Sequence, residues 1–131
     1  MIWVDNLEYA GYSDWRLPKV RPVNGTTFNT YWRTNGTTDI GYNIMNPAAS
    51  ELSYMYYVNL GNPAAFTNDI FQRWTGCSQN LPNGCLSNEL PFTNVARSIF
   101  WSDRHLPDPY PSWIFAFYTW DGLQNGIIGA T

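Results

Sequence analysis

The chain has 131 residues, a length that suits one domain with a single hydrophobic core. Its net charge is −3, and because Lys and Arg form no run anywhere along the sequence, the composition excludes nucleic acid as an expected partner. The longest apolar stretch, residues 113–118, is far shorter than the roughly 20 residues of a membrane span, so we expect no membrane insertion.

The first predicted element is the end of a helix. Apolar side chains between Ile2 and Leu7 recur at helical spacing, and Gly11 breaks the pattern. Because no capping residue precedes them, we expect the helix to start upstream of this sequence. Residues 12–18 predict a turn and a short extended piece that ends at Pro18. Residues 19–46, rich in Asn, Thr and Gly, predict an irregular surface excursion with at most a short hairpin.

A helix is predicted to begin at Asn46-Pro47, where Asn can cap and Pro suits the first helical position, and to end at Gly61. Its buried stripe comprises Leu52, Met55, Tyr56 and Leu60. The segment from Asn62 to Leu90 lacks the periodicity of a helix or a strand and predicts a second long loop. We expect this loop to be ordered by a disulfide and by the rings of Phe66, Phe71 and Trp74.

The last third of the chain predicts a β-meander. Strands are expected at residues 98–102, 112–119 and 126–128, with a Pro-rich turn after the first and a tight turn at Asp121-Gly122 before the last. Together with the helix, these strands predict an α+β fold in one domain spanning residues 1–131.

Both cysteines lie in one turn-rich loop. No other cysteine competes with Cys77 and Cys85, so we predict a structural disulfide between them and an extracytoplasmic location. A reduced pair in a reducing compartment is the alternative. A lone histidine, His105, leaves no zinc-binding set, and no cofactor is expected.

Several motifs resemble one known family. Residues 9–18, Tyr-Ala-Gly-Tyr-Ser-Asp-Trp-Arg-Leu-Pro, resemble the GYSDWRLP signature of the Lcl C-terminal-domain family, whose members are bacterial surface and secreted proteins of unknown function. Residues 50–62 are similar to the family's SEM..LYY.ELGN helix, and residues 100–102 and 112–122 to its YWSGT and AWFFNFDFG blocks. The resemblance implies a C-type lectin-like fold, in which helices flank a twisted antiparallel sheet and long loops carry function.

The sequence departs from the family at its end. Family members continue to a closing strand of the WAVRP type, whereas this sequence stops at Thr131. We therefore expect an open sheet edge, and a homo-oligomer that covers it, since exposed edges pair readily with another chain.

The group Asp14-Trp15-Arg16 within the signature is the most distinctive local cluster. We interpret it as fold-specifying, because a turn carboxylate can accept backbone N–H groups, the ring packs and Arg pairs with an acid; a ligand clamp is the alternative. Calcium is a weaker alternative for the chain as a whole. The Glu-Pro-Asn and Gln-Pro-Asp triplets of calcium-dependent lectins are absent, and the nearest candidates are Asn88-Glu89 and Pro107-Asp108-Pro109.

Catalysis has weak support in the sequence. Ser102, Asp103 and His105 supply the residue types of a hydrolytic triad, but neighbours on one strand point to opposite faces and cannot line up. No spacing singles out two facing carboxylates among Glu51, Glu89, Asp103, Asp108 and Asp121.

Binding has better support, because 18% of the residues are aromatic while only 13% are charged. Flat rings cover the apolar faces of sugars, and amides meet sugar hydroxyls. The candidate ligand-binding rings lie in irregular segments: Tyr31, Trp32, Tyr42, Trp74, Tyr110 and Trp120. Polar candidates beside them are Arg33, Asn35, Asn43, Arg104 and Asp108. The sequence thus predicts an extracellular ligand-binding or adhesion module for glycans or another surface polymer. A self-associating surface or matrix protein, and a small hydrolase that uses a carboxylate or His105, are the alternatives.

Overall fold

The computed structural model describes residues 2–77, 84–92 and 98–128 and shows an α+β protein built around one mixed sheet. The helical elements are α1 (Ile2–Asp5) and α2 (Glu51–Tyr54), and α2 continues into a π-helical turn (Met55–Asn59). The strands are β1 (Trp32–Arg33), β2 (Ile40–Gly41), β3 (Ile99–His105), β4 (Trp113–Tyr118) and β5 (Leu123–Ile128). Their order in the sheet is β1-β2-β5-β4-β3, in which β1 and β2 are parallel and the other pairs antiparallel.

The predicted meander is confirmed as β3, β4 and β5. Strand β4 lies between the other two and is paired along its whole length with β5, from Trp113 opposite Ile128 to Tyr118 opposite Leu123. Residues 114–117 are all at most 3% exposed, so side chains on both faces of β4 are covered. A continuous apolar run, rather than a strict alternation, is the pattern expected for such a strand. No helix in the described part of the chain is long and apolar enough to cross a membrane.

The expectation of a surface excursion at residues 19–46 is wrong for residues 38–44, whereas residues 24–33 are mostly exposed. Strand β2 lies inside the sheet between β1 and β5, and residues 38–44 are all buried. Burial is possible because backbone partners satisfy the polar side chains: Asn43 Nδ2 donates to the carbonyls of Thr34 (2.7 Å) and Phe66 (3.0 Å). The parallel β1–β2 pair also replaces the predicted hairpin. At Gly41, with φ +130°, a Cβ atom would overlap the carbonyl oxygen of Arg33, so only glycine fits between the strands.

The central helix starts later than predicted. Asn46 Oδ1 accepts the N–H of Ala48 in a preceding turn, and the helix is capped by Ser50, whose Oγ accepts the N–H of Ser53 at 3.2 Å. The predicted stripe is incomplete: Tyr56 is 1% exposed and Leu60 8%, while Leu52 and Met55 are half-buried. Tyr57, outside the stripe, is also buried, and its hydroxyl donates to the carbonyl of Gly122 at 2.6 Å.

The predicted disulfide between Cys77 and Cys85 is confirmed, with Cα atoms 4.9 Å apart. Cys85 belongs to the same apolar cluster as Ala64, Ala65 and Leu86, and Cys77 packs against that cluster. Phe66 is half-buried and forms an antiparallel bridge with Trp74. Phe71 does not anchor this segment as expected, because it lies 70% exposed where Asp69 accepts the N–H groups of residues 71 and 72.

Two apolar clusters make up the described core. One joins the helical segment to the sheet through Tyr56, Tyr57 and Phe117. The other is smaller and contains Val20, Ile40, Leu106 and Phe115. Phe28 and Trp113 pack against this second cluster while remaining partly exposed, so they extend it to the protein surface.

Candidate functional site

Two adjoining clefts share Thr30 and form the surface that we call the Thr30 surface. The first has a volume of about 380 Å³ and is lined by Asn24, Thr27, Phe28, Asn29, Thr30 and Tyr31. The second has a volume of about 290 Å³ and is lined by Thr30, Ile40, Leu106, Tyr110, Trp113 and Asn125. None of these lining residues is acidic or basic, so the surface combines rings, amides and hydroxyls without a charge.

The loop that forms the first cleft is held by a buried carboxylate. Asp39 is 1% exposed, and its two oxygens accept the backbone N–H groups of Val23 (2.8 Å) and Asn29 (2.6 Å). Burial raises the pKa of Asp39 above its ordinary value, although both backbone hydrogen bonds oppose the shift. Because the backbone is tied to the core at both ends of the loop, Asn24 through Asn29 keep a defined shape.

Exposed rings flank the two clefts. Tyr31 is 72% exposed and carries the guanidinium group of Arg33 at 6.0 Å from its ring centre. Tyr110 is 51% exposed, and its ring centre lies 5.8 Å from that of Trp113. A turn fixes this second pair, since the N–H of Trp113 donates to the carbonyl of Tyr110 at 3.0 Å. Both rings are therefore presented on ordered backbone.

The asparagines of the Thr30 surface are oriented by their own carbonyl oxygens. Asn24 Oδ1 accepts from the N–H of Thr26 (2.9 Å), and Asn29 Oδ1 from the N–H of Tyr31 (3.1 Å). Asn125 Oδ1 accepts the N–H of the next residue at 2.8 Å. Each amide oxygen is engaged, and within the described residues none of the three Nδ2 groups donates a hydrogen bond, so these groups are available as donors to a ligand.

A second group of rings lies around β1. The ring centre of Trp32, which is 46% exposed, is 6.0 Å from that of Tyr42 and 5.7 Å from that of Phe66, both edge-on. Trp74, opposite Phe66 in their bridge, is 53% exposed. Tyr42 does not present its ring to solvent as expected: it is 6% exposed, and its hydroxyl donates to Asp121 at 3.0 Å. Burial, with Asp121 nearby, raises the pKa of Tyr42. Tyr42 therefore supports Trp32 from beneath.

The structure separates the remaining predicted ligand-binding residues. Trp120 is half-buried against Tyr118, with ring centres 4.9 Å apart, and its carbonyl accepts the N–H of Cys85. Its ring was expected on an exposed loop, but it packs beside the disulfide segment. Arg104 is exposed on β3, away from both clefts, and Asp108 is exposed in the turn before Tyr110.

The two polar candidates near β1 also lie outside the Thr30 surface. Asn35 Oδ1 accepts the Oγ1–H of Thr37 at 2.6 Å, and Asn43 is buried. Sequence reasoning missed Trp113 because it falls in a strand, and it missed Asn24 and Asn125 because nothing local distinguishes them from the other asparagines. The available signal was the pairing of Tyr110 with Trp113, an aromatic on each side of a Pro-Ser turn.

The signature residues 14–16 anchor the N-terminal segment. Trp15 Nε1 donates to the carbonyls of Tyr9 (3.3 Å) and Tyr12 (3.1 Å). Arg16 forms a two-pronged ion pair with Glu51, at 2.7 and 2.9 Å. These residues, with the exposed Asp14, line a cleft of about 510 Å³ over the start of α2. Trp15 and Arg16 make the kinds of contact that a fold-specifying role predicts, whereas the carboxylate of Asp14 accepts no backbone N–H among the described residues, so the role of the group stays a prediction.

Five residues further on, a second ion pair joins the same segment to the sheet. Arg21 contacts both carboxylate oxygens of Asp103 at 2.9 Å, and Asp103 Oδ1 also accepts the N–H of Val20. Burial by itself would raise the pKa of Asp103, but the hydrogen bonds from Arg21 and Val20 outweigh it, so the pKa lies below 3.8. The pKa of Glu51 is likewise lowered from 4.5, first by the hydrogen bond from Arg16.

Acid should therefore loosen this segment. Because folding lowers the pKa of Glu51, its stabilising contribution is complete above its unfolded value of about 4.5 and is lost as the pH falls through the lower folded value. We expect Glu51→Gln to reduce the free energy of unfolding at pH 7. The free energies of unfolding at pH 7 and at pH 3 should therefore differ less in this variant than in the unmodified chain. Urea unfolding at both pH values measures this change. Glu8→Gln, which removes an exposed acid, is the control and should leave that difference unchanged.

The residues proposed for a hydrolytic triad are not assembled. Ser102 is 1% exposed and its Oγ accepts the N–H of Arg104, while Asp103 is held by Arg21. The carboxylate of Asp103 is thus oriented toward a structural guanidinium rather than toward His105. No group of three His, Cys, Asp or Glu side chains able to hold a metal ion occurs in the described ranges.

Comparison of the chain with protein-family models, with curated proteins and with solved structures finds no match in any of the three.

Proposed function

We propose that this protein is an extracytoplasmic binding module that recognises a neutral glycan on the Thr30 surface. The observation that carries the proposal is the placement of two exposed rings, Tyr31 and Tyr110, beside adjoining clefts lined by amides and hydroxyls and by no acid or base. Rings of this kind stack on the apolar faces of sugars, and oriented amides form hydrogen bonds with the sugar hydroxyl groups.

Preorganisation supports the proposal. The amide oxygens of Asn24, Asn29 and Asn125 already accept backbone hydrogen bonds, which restricts these side chains before a ligand binds and leaves their Nδ2 groups available as donors. Binding a ligand then orders few side chains, which reduces the entropic cost of association. No charged residue lines the two clefts, and the net charge of the chain is −3, which together favour a neutral glycan over an anionic one. The guanidinium group of Arg33 lies beside the first cleft, over the ring of Tyr31.

The disulfide supports a location outside the cytoplasm, because such bonds persist in oxidising compartments. The similarity of residues 9–18 to the Lcl C-terminal-domain signature agrees with this location, and we include membership of that family and a C-type lectin-like fold in the proposal. An α+β architecture with long connecting segments is compatible with both.

Tyrosine substitutions test the site directly. We expect the unmodified chain to bind neutral hexose or N-acetylhexosamine oligomers on a glycan array. Tyr110→Ala and Tyr31→Ala should each weaken that binding about tenfold, since each removes one stacking platform. Titration calorimetry with the strongest array ligand measures the change. Tyr9→Ala removes a 68% exposed tyrosine outside the Thr30 surface and should leave the affinity unchanged.

Asn125→Asp provides a nearly isosteric second test. The substitution keeps an oxygen for the N–H of Gly126 but replaces the Nδ2 donor with a charge, so we expect weaker binding to neutral glycans with an unchanged unfolding midpoint. An array that stays silent for neutral glycans, or an equal loss in Tyr9→Ala, would overturn the proposed site.

A further inference from the structure

We infer that the edge strand β3 pairs with β3 of a second copy of this chain across a two-fold axis at Phe100. Among the strands of residues 2–77, 84–92 and 98–128, β3 has one neighbour, β4, and its outer side is the edge of the described sheet. Residues 98–102 of this strand contain no charge and no proline, which are the features that commonly prevent edge strands from pairing.

The register of β3 on β4 shows which backbone groups point outward. The N–H of Thr119 donates to the carbonyl of Ser98 at 3.0 Å, and Phe100 lies opposite Phe117. Ser98 and Phe100 therefore occupy the hydrogen-bonded positions toward β4. Because these positions alternate along an antiparallel pair, the N–H and C=O groups of Ile99 and Trp101 point to the outer side.

Only part of the outer side is open. At Asp103 the outward N–H donates to the carbonyl of Pro18 at 2.9 Å, so the segment around Pro18 covers that end of the strand. At Ile99 and Trp101, no backbone group of the described chain bonds to the outward N–H or C=O. The open stretch is thus short and bounded on one side, and a partner strand cannot slide toward Asp103.

A two-fold axis at Phe100 matches these groups. It places Ile99 opposite Trp101 of the second copy, and Trp101 opposite Ile99 of the second copy, so that the four open residues form four N–H···O=C bonds. Ile99 (37% exposed) and Trp101 (39% exposed) lie on the same face, and each pair joins an aromatic to a β-branched side chain, a stabilising cross-strand combination. On the other face Phe100, 38% exposed, meets its own copy.

A second copy fits this edge better than an unrelated peptide for two reasons. The open stretch is its own complement in both hydrogen bonding and side-chain type, as an isologous interface requires. Its lack of charge also means that no like charges meet across the axis. The dimer is independent of the glycan proposal, since residues 99–101 line neither cleft of the Thr30 surface.

Charge substitution tests both the dimer and its register. We expect sedimentation equilibrium to show a monomer–dimer equilibrium, with Ile99→Lys and Trp101→Glu each weakening association at least about tenfold. An equimolar mixture of the two variants should recover association, because the introduced cation then faces the introduced anion across the axis. Ile128→Lys, at a residue 72% exposed at the end of β5, is the control and should not change association.

Hydrogen exchange of the unmodified chain gives a readout that needs no variant. The amides of Ile99 and Trp101 should gain protection as the protein concentration rises, while that of Ile128 should not. A chain that stays monomeric at all concentrations overturns the inference. So does a mixture of the two variants that associates no better than either variant alone, because that result contradicts the register.

Discussion

Gly41→Ala is expected to unfold most of the protein. A Cβ atom at this position would overlap the carbonyl oxygen of Arg33 and lie 2.8 Å from its carbonyl carbon, so β1 could not remain paired with β2. The φ angle of +130° adds conformational strain for any residue with a Cβ atom. We expect a loss of about 4 kcal/mol or more in the free energy of unfolding, close to the whole stability of many domains. Chemical denaturation followed by tryptophan fluorescence measures it.

Gly25→Ala distinguishes the effect of steric overlap at Gly41→Ala from the effect of backbone strain. Gly25 also has a positive φ angle, +81°, but its Cβ position has no atom within 4 Å. We expect only the strain of a left-handed residue there, roughly 1–2 kcal/mol. Equal losses in the two variants would show that strain alone, and not the close approach of β1 to β2, makes Gly41 necessary.

Phe115→Ala is expected to have the second largest effect. Phe115 is 0% exposed in β4 and belongs to the cluster of Val20, Ile40 and Leu106. Truncating a buried phenylalanine removes its transfer energy and leaves a cavity, together about 3–5 kcal/mol. Its ring centre is also 4.9 Å from that of Phe28, so the first cleft of the Thr30 surface loses the support beneath it. Weaker glycan binding should therefore accompany the lower stability.

Phe71→Ala is the matched control for this substitution. The ring of Phe71 is 70% exposed, so its removal should change the free energy of unfolding by no more than about 0.5 kcal/mol. Thermal unfolding of both variants under the same conditions gives the comparison. A loss at Phe115 as small as that at Phe71 would mean that the cluster around Phe115 contributes little to the core.

The two proposals, glycan binding and edge pairing, reinforce each other in function. A β3-paired dimer carries two Thr30 surfaces, and a polymer that spans both would be bound more tightly than by one surface alone. Loss of pairing in Ile99→Lys should accordingly lower the apparent affinity for a long glycan and leave the affinity for a short oligomer unchanged. The comparison of long and short ligands separates avidity from direct recognition.

Local sequence patterns predicted part of this fold. The meander of β3, β4 and β5 followed from runs of β-branched and aromatic residues separated by turn residues, because these signals act between near neighbours. The disulfide followed from there being two cysteines in one loop. The same kind of evidence misplaced the start of α2, since both Asn46 and Ser50 can cap a helix, and the extended backbone of Ser50 pairs with Val20, which is distant in sequence.

Composition, chain length and nearby residues thus determined the α+β class, the meander, the disulfide and the excess of rings over charges. Only the tertiary structure decided that residues 38–44 are buried around strand β2, because their polar groups are satisfied by partners distant in sequence. The side chain of Asn43 donates to the carbonyl of Phe66, and Gln124 Nε2 donates to the backbone carbonyl of Asp39. The tertiary structure likewise decided which aromatic rings are exposed to solvent. Tyr31 and Tyr42 look alike in the sequence, but the hydroxyl of Tyr42 donates to the half-buried Asp121, whereas the described residues supply no acceptor for the hydroxyl of Tyr31.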